Sequence, residues 1–318
     1  MSRAYNFSSG PGAIPEPVLT QARDEMLEWS SARASVMEIS HRGKHFIALA
    51  EEAETDLRAL MVVPVNYKVL FLQGGAIGQN AVVPMNLLRG KGAIDFIDTG
   101  EWSKKSIKEA GKYAKVNIAA SGKAGNYTAV PPRDGWKLDA GAAYVHICSN
   151  ETIGGVEYHF TPDVGSVPLV ADMSSDILSR PIDVSKYGLI YAGAQKNIGP
   201  AGLVIVIVRE DLLGKALPTT PSVMDFATMA EHGSMLNTPP TFGIYVAGLV
   251  FQWLKRNGGL AATAERNRRK AETLYAAIDG SGYYRNPVAV NARSWMNVPF
   301  TIPNPDLEKT FVAEATKA

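Results

Sequence analysis

The chain has 318 residues, 46% hydrophobic and 20% charged, and its 32 basic and 31 acidic side chains leave a formal charge of +1. That balance argues against a nucleic-acid partner, because phosphate backbones select basic faces, and no apolar run approaches the ~18 residues of a membrane span. With no apolar signal core at the N-terminus, the cytoplasm is the expected compartment, and a single cysteine, Cys148, rules out an intrachain disulfide or a thiolate metal cluster.

A Gly/Pro-rich start, Gly10-Pro-Gly-Ala-Ile-Pro15, leads into Val18, Leu19, Ala22, Met26 and Trp29 at helical spacing. Phe46, Ala50, Ala53, Leu57, Leu60 and Met61 repeat the pattern with acids on the other faces. Short apolar runs then alternate with helical stretches, at 67–72, 93–97, 115–119, 144–148, 167–171, 188–192 and 203–208. Such runs predict doubly buried strands, and their alternation with helices predicts an α/β domain around a mostly parallel seven-stranded sheet. A boundary falls at Asn257-Gly258-Gly259, followed by a helix ending at Gly280 and a strand over 296–302. Asn304 and Pro305 then open a last helix carrying Leu307, Phe311 and Ala315. The expected division is a large domain over 16–258 and a smaller α+β domain from 1–15 with 259–318. One strand and two helices make that second domain thin, which predicts a natural protein continuing past Ala318.

In open sheets of this kind ligands sit at the carboxyl ends of the strands, so the polar residues after each run are the candidates. Before the first run, Ser40-His41-Arg42-Gly43-Lys44 concentrates positive charge; Arg42 is read either as a fork for a carboxylate or phosphate, or as an arginine salt-bridged to the acidic helix after it. Metal is not expected, because Gly43 lies between His41 and His45 and no Glu follows His41. After 67–72 comes Gln73-Gly-Gly-Ala76-Ile77-Gly78, whose small residues would let backbone N–H groups approach an anion, or would merely make a tight turn. Trp102 follows the second run and is read as stacking on a flat ring or filling core space. Ser149-Asn-Glu-Thr152 follows the fourth, and Ser234 to Thr238 precedes a helix that it could simply N-cap.

Asp172 ends the fifth run and Lys196 follows the sixth, in Gly193-Ala-Gln-Lys196-Asn-Ile-Gly-Pro-Ala-Gly202. Taken singly, one is a turn residue and the other a solvated amine. Successive parallel strands joined by right-handed crossovers, however, bring these ends to one edge. An aspartate that can keep a pyridine nitrogen protonated, beside a lysine that can form a Schiff base, is what pyridoxal phosphate requires.

Together, Phe7-Ser-Ser-Gly-Pro11, Ser40 to Lys44, Gly74-Gly75, Asn150-Glu-Thr-Ile-Gly154, the Lys196 loop and Asn237-Thr-Pro-Pro-Thr-Phe242 resemble the phosphoserine aminotransferase family, along nearly the whole chain. That resemblance implies the pyridoxal-phosphate-dependent transferase fold of type I, a three-layer α/β/α large domain plus a smaller α+β domain. It implies Lys196 as the catalytic amine, Asp172 on the pyridinium nitrogen, Trp102 on the ring and Thr152 hydrogen-bonded to the cofactor. Ala76, Ile77 and Gln195 would hold the phosphate. Asn237 and Thr238 would reach the cofactor of a neighbouring subunit in a homodimer, and His41 and Arg42 would bind the acidic groups of the substrate.

The implied reaction passes an amino group from glutamate to 3-phosphohydroxypyruvate, with 4-phosphohydroxythreonine as a further substrate in pyridoxine synthesis. Many relatives carry an arginine at the place of Ile77, where a backbone N–H must suffice here. Relatives also continue past Ala318 with further substrate-binding arginines. The rivals are another enzyme of the same fold, such as a serine:glyoxylate or alanine aminotransferase or a desulfurase, and a non-catalytic phosphate-binding protein.

Overall fold

The computed structural model describes residues 3–8 and 10–317; Ser9 of the Phe7 to Pro11 motif, and Ala318, where the small domain was expected to be cut short, lie outside the described residues. Seven strands form the central sheet: β1 Tyr67–Leu72, β2 Ala93–Asp98, β3 Lys115–Ser121, β4 Val145–Cys148, β5 Leu169–Asp172, β6 Leu189–Gly193 and β7 Val204–Arg209. Each overlaps one of the seven apolar runs. Their spatial order is β1-β7-β6-β5-β4-β2-β3, with β7 antiparallel to both β1 and β6 and every other pair parallel. Because β1 and β6 both oppose β7, they run the same way. The carboxyl ends of β1, β2, β4, β5 and β6 therefore share one edge.

The helices follow from the same pattern. They are α1 Glu16–Asp24, α2 Lys44–Met61, α3 Gly75–Leu87, α4 Glu101–Ala110, α5 Phe226–Glu231, α6 Thr241–Arg256, α7 Gly259–Gly280 and α8 Glu308–Lys317. Successive side chains of a strand point to opposite faces. In β7, Ile205 and Ile207 accordingly join a core under α1, α2 and α6, while Val204, Val206 and Val208 join a second core under α3 and α5. All five are fully buried, which is why this segment has no polar alternation. The result is three layers with the sheet in the middle.

Two expected elements come out differently. α1 stops at Asp24, so Met26 and Trp29 lie past its end, and Trp29 instead pairs with Ala34 in an isolated bridge. The apolar spacing ran on beyond the hydrogen-bonded helix. The strand expected over 296–302 is reduced to a single bridge, Arg285 to Thr301. Pro299 in its middle has no N–H to donate, and its carbonyl is taken by the Asn286 side chain rather than by a neighbouring strand. Asn304 does cap its helix: its Oδ1 accepts from the Asp306 amide, and Pro305 opens the turn before α8.

Candidate functional site

At the shared strand edge lies a cavity of about 220 Å³ lined by residues from five separate segments at or just after strand ends. Lys196, Asp172, Trp102, Thr152, Ala76, Ile77 and Gln195 all line it, so seven of the residues singled out in the sequence are brought together. Lys196 sits in the irregular turn after β6, where the Ile198 and Gly199 amides both bond to the Ala194 carbonyl. Its Nζ donates to Thr152 Oγ1 at 2.6 Å and stands 4.5 Å from the centre of the Trp102 ring. Burial pushes its pKa below that of an ordinary lysine, against the attraction of Asp172.

Asp172 is the last residue of β5 and is 7% exposed. Its Oδ1 accepts both the amide and the hydroxyl of Ser174, at 2.9 and 2.6 Å. Burial raises its pKa, while the Ser174 bonds and Lys196 pull the other way. A carboxylate with one oxygen so occupied is fixed in orientation and suited to a cationic N–H in the cavity.

The turn after β1 ends in Gly74 and Gly75, both at positive φ (97° and 66°), with open space where a Cβ would stand. α3 starts there, so its first amides, including those of Ala76 and Ile77, have no intrahelical partner, and both residues line the cavity. Gln195 folds back over Gly193, its Oε1 2.8 Å from where a Cβ would be, beside the Ala76 amide. Two lining side chains hold buried polar atoms without partners, Trp102 Nε1 and Asn150 Oδ1.

His41, Arg42, Asn237 and Thr238 are not brought to this cavity within the one chain. His41 and Arg42 immediately precede α2, with Arg42 exposed and His41 Nε2 lacking a partner. Asn237 lines a neighbouring, more apolar cavity with Gln73, Gly74 and Gly78, and the Thr238 carbonyl accepts from Gln73 Nε2 at 3.1 Å. Nor does either cap α6, whose N-cap is Pro240. Sequence reasoning gave no role to Ser174 and Ser175, which line the cavity, noted Asn150 only as part of the polar stretch after the fourth run, and treated Cys148 only as core although it lines the cavity too. It also missed Gly12. The Gly12 amide donates to the Gln195 carbonyl at 2.8 Å, and a Cβ there would fall 2.0 Å from the Lys196 carbonyl oxygen. Two glycines flanking Pro11 were the available signal for so close an approach.

The family profile described as Aminotransferase class-V matches residues 4–318. A phosphoserine aminotransferase of Azotobacter vinelandii is 58% identical over 313 residues, covering 98% of this chain and 87% of the relative. One from Herminiimonas arsenicoxydans is 59% identical over 318 residues, covering 99% and 88%. Among solved structures, the phosphoserine aminotransferase of Bacillus circulans subsp. alkalophilus superimposes with a TM-score of 0.96 at 46% identity, over 99% of this chain and 88% of that one. The pyridoxal-phosphate-bound enzyme of Trichomonas vaginalis gives 0.95 at 42%, over 99% and 90%. An alanine–glyoxylate aminotransferase from Nostoc, at 17% identity and a TM-score of 0.75 over 96% of this chain and 81% of its own, shares the fold alone.

Proposed function

This chain belongs to the class-V aminotransferases and, within them, to the phosphoserine aminotransferases, and on that footing we propose that the cavity around Lys196 is where it moves an amino group from glutamate to 3-phosphohydroxypyruvate. The products are O-phosphoserine and 2-oxoglutarate, and the reaction is a step of serine biosynthesis. The observation that carries the site assignment is the single cavity in which the Lys196 amine, the Trp102 face, the Asp172 carboxylate and the open α3 N-terminus converge.

Those residues fit pyridoxal phosphate. The orphaned donor of Trp102 and acceptor of Asn150 call for a polar ligand, and the empty space at Gly74 and Gly75 admits a phosphate against backbone amides. When bound, the cofactor supplies an electron-withdrawing ring and the carbonyl that is exchanged for an amino group. Asp172 would hold the proton on the ring nitrogen, fixed for that purpose by Ser174. Trp102 would pack flat on the ring, and Ala76, Ile77 and Gln195 would hold the phosphate. Lys196 would anchor the cofactor and, once released, take the proton from the α carbon of the amino acid at Nζ and return it on the product side. Its burial favours the neutral amine that such a base requires. Thr152 keeps Nζ on the Trp102 side of the cavity.

A second copy of the chain would complete the site. Asn237 and Thr238 would reach the neighbouring subunit's phosphate, and His41 and Arg42 would accept the distal carboxylate of glutamate or the distal phosphate of the keto acid. What supports this is their position outside the cavity of their own chain, with Arg42 exposed and His41 Nε2 without a partner. The same distal phosphate would admit 4-phosphohydroxythreonine. The division into a cofactor domain over 16–258 and a smaller domain from 1–15 and 259–318 belongs to the same reading, supported by the break between α6 and α7 at 257–258. So does a cytoplasmic location; among the described residues no helix is long and apolar enough to cross a membrane.

The test is a visible absorbance spectrum of the purified protein with pyridoxal phosphate, before and after glutamate, for wild type and Lys196→Ala. Wild type is expected to show a cofactor band that glutamate shifts and phosphohydroxypyruvate restores, and the variant to lose turnover. Restoration by an unphosphorylated keto acid in preference to the phosphorylated one, or normal turnover by Lys196→Ala, would refute it.

A further inference from the structure

Glu151 lies in the short two-stranded ribbon of Asn150–Glu151 and Val156–Glu157, and it is completely buried. A carboxylate removed from water needs donors. It finds them at the start of α4, where Oε2 accepts from the Trp102 amide at 2.9 Å and Oε1 from the Ser103 amide at 3.0 Å. These are the second and third residues of the helix, whose amides an N-cap side chain ordinarily takes. The local N-cap is Gly100, which has no side chain to offer. Ser103 completes the exchange, its Oγ accepting from the Thr99 and Gly100 amides at 2.9 and 2.8 Å. Glu151 thus caps α4 from another part of the chain, with its charge at the favourable end of the helix dipole. The fit also excludes a side chain at position 100, since a Cβ there would stand 2.8 Å from Glu151 Cδ. Burial pushes the Glu151 carboxyl up, while the Ser103 and Trp102 amides hold it down.

This carboxylate joins two walls of the cavity. Trp102 belongs to the turn that it caps, and Thr152, the next residue along the chain, holds Lys196 Nζ. We propose that Glu151 is a positioning residue, which sets the Trp102 ring and the Thr152 hydroxyl in fixed relation and so defines the slot into which the flat cofactor enters. The inference rests on reading the cavity as a pyridoxal-phosphate site.

The experiment titrates cofactor-free protein with pyridoxal phosphate, following visible absorbance and the induced circular dichroism of the bound chromophore. Four proteins are compared: wild type, Glu151→Gln, Trp102→Ala and the double variant. Glu151→Gln keeps the shape but sets an amide against backbone donors. It is expected to weaken affinity about tenfold and to diminish the induced band. In the Trp102→Ala background the same change should cost less than about threefold, because the ring it misplaces is already gone and only the Thr152 hydroxyl remains to be shifted. Equal losses in the two backgrounds would overturn the proposal. Should the melting of cofactor-free Glu151→Gln show that it does not fold, Gly100→Ala reads the same coupling. It leaves the carboxylate in place and drives a methyl against it, and equal losses in both backgrounds again overturn the idea. A wild-type chain that bound no pyridoxal phosphate would defeat the cavity assignment and this inference together; binding without coupling defeats the inference alone.

Discussion

Asp176, four residues past Asp172, gives the most quantitative handle on the molecule. It is 5% exposed, accepts from Ser149 Oγ, and lies 3.6 Å from an Arg180 nitrogen whose guanidinium also meets the fully buried Glu157 at 3.2 Å. Two buried carboxylates share one arginine. Burial, and then the charge of Glu157, raise the Asp176 pKa to about 7, whereas the unfolded chain would release that proton near 3.8. Between those values the folded state holds more protons than the unfolded one, so stability falls as pH rises. The contribution is complete below the unfolded value and is lost on passing through about 7. Each tenfold gain in proton affinity on folding is worth about 1.4 kcal/mol, which puts the ceiling at about 4 kcal/mol. Asp176→Asn cannot ionise yet keeps an acceptor for Ser149. Urea unfolding at a series of pH values from 5 to 8 should therefore show wild type losing at least ~1 kcal/mol more than the variant over that range. Glu157→Gln, which removes the like charge, should move the fall in stability to lower pH. Parallel profiles for wild type and Asp176→Asn would refute the assignment of the proton to this site.

Replacing Asp172 by Asn removes the charge facing the cavity while leaving an acceptor for Ser174. The expected loss in kcat/KM is at least about a hundredfold, on the scale of one preorganised electrostatic contact, with the melting temperature little changed. Gly12→Ala places a methyl 2.0 Å from the Lys196 carbonyl oxygen, so the N-terminal loop must lift. The cost in unfolding free energy is expected at about 1–3 kcal/mol, accompanied by a weaker cofactor band. If two copies share each site, Lys196→Ala and Arg42→Ala chains, each inactive alone, should recover activity when mixed and refolded. Recovery should approach a quarter of wild type, since about that fraction of sites pairs two intact contributions; no recovery would place Arg42 in its own chain's site.

The strand ends were legible because burial on both faces leaves the sequence no freedom. A run such as Val204 to Val208, fully buried throughout, is short and β-branched as an interior strand is, and the first polar residue after such a run emerges at the sheet edge. That is how Asp172 and Lys196 could be placed together without any contact between them being visible in the sequence. The pattern fails where one apolar stretch lacks a partner. Residues 296–302 read as a strand, yet Pro299 and the Asn286 side chain take them out of any ladder. It fails again where apolar spacing outlasts the helix, at Met26 and Trp29.

What the sequence conceals is contact between loops. Gly12 against Lys196, and Glu151 against the first turn of α4, depend on the register of segments far apart in the chain. Neither carries a periodicity, because each is a single close approach. Both were marked only by what was absent, a side chain at Gly12 and a cap at Gly100. In this fold, then, a glycine beside a polar loop at the carboxyl edge of the sheet is as informative as the charged residue it faces. The charge supplies the chemistry, and the missing Cβ lets a second segment come close enough to hold it in place.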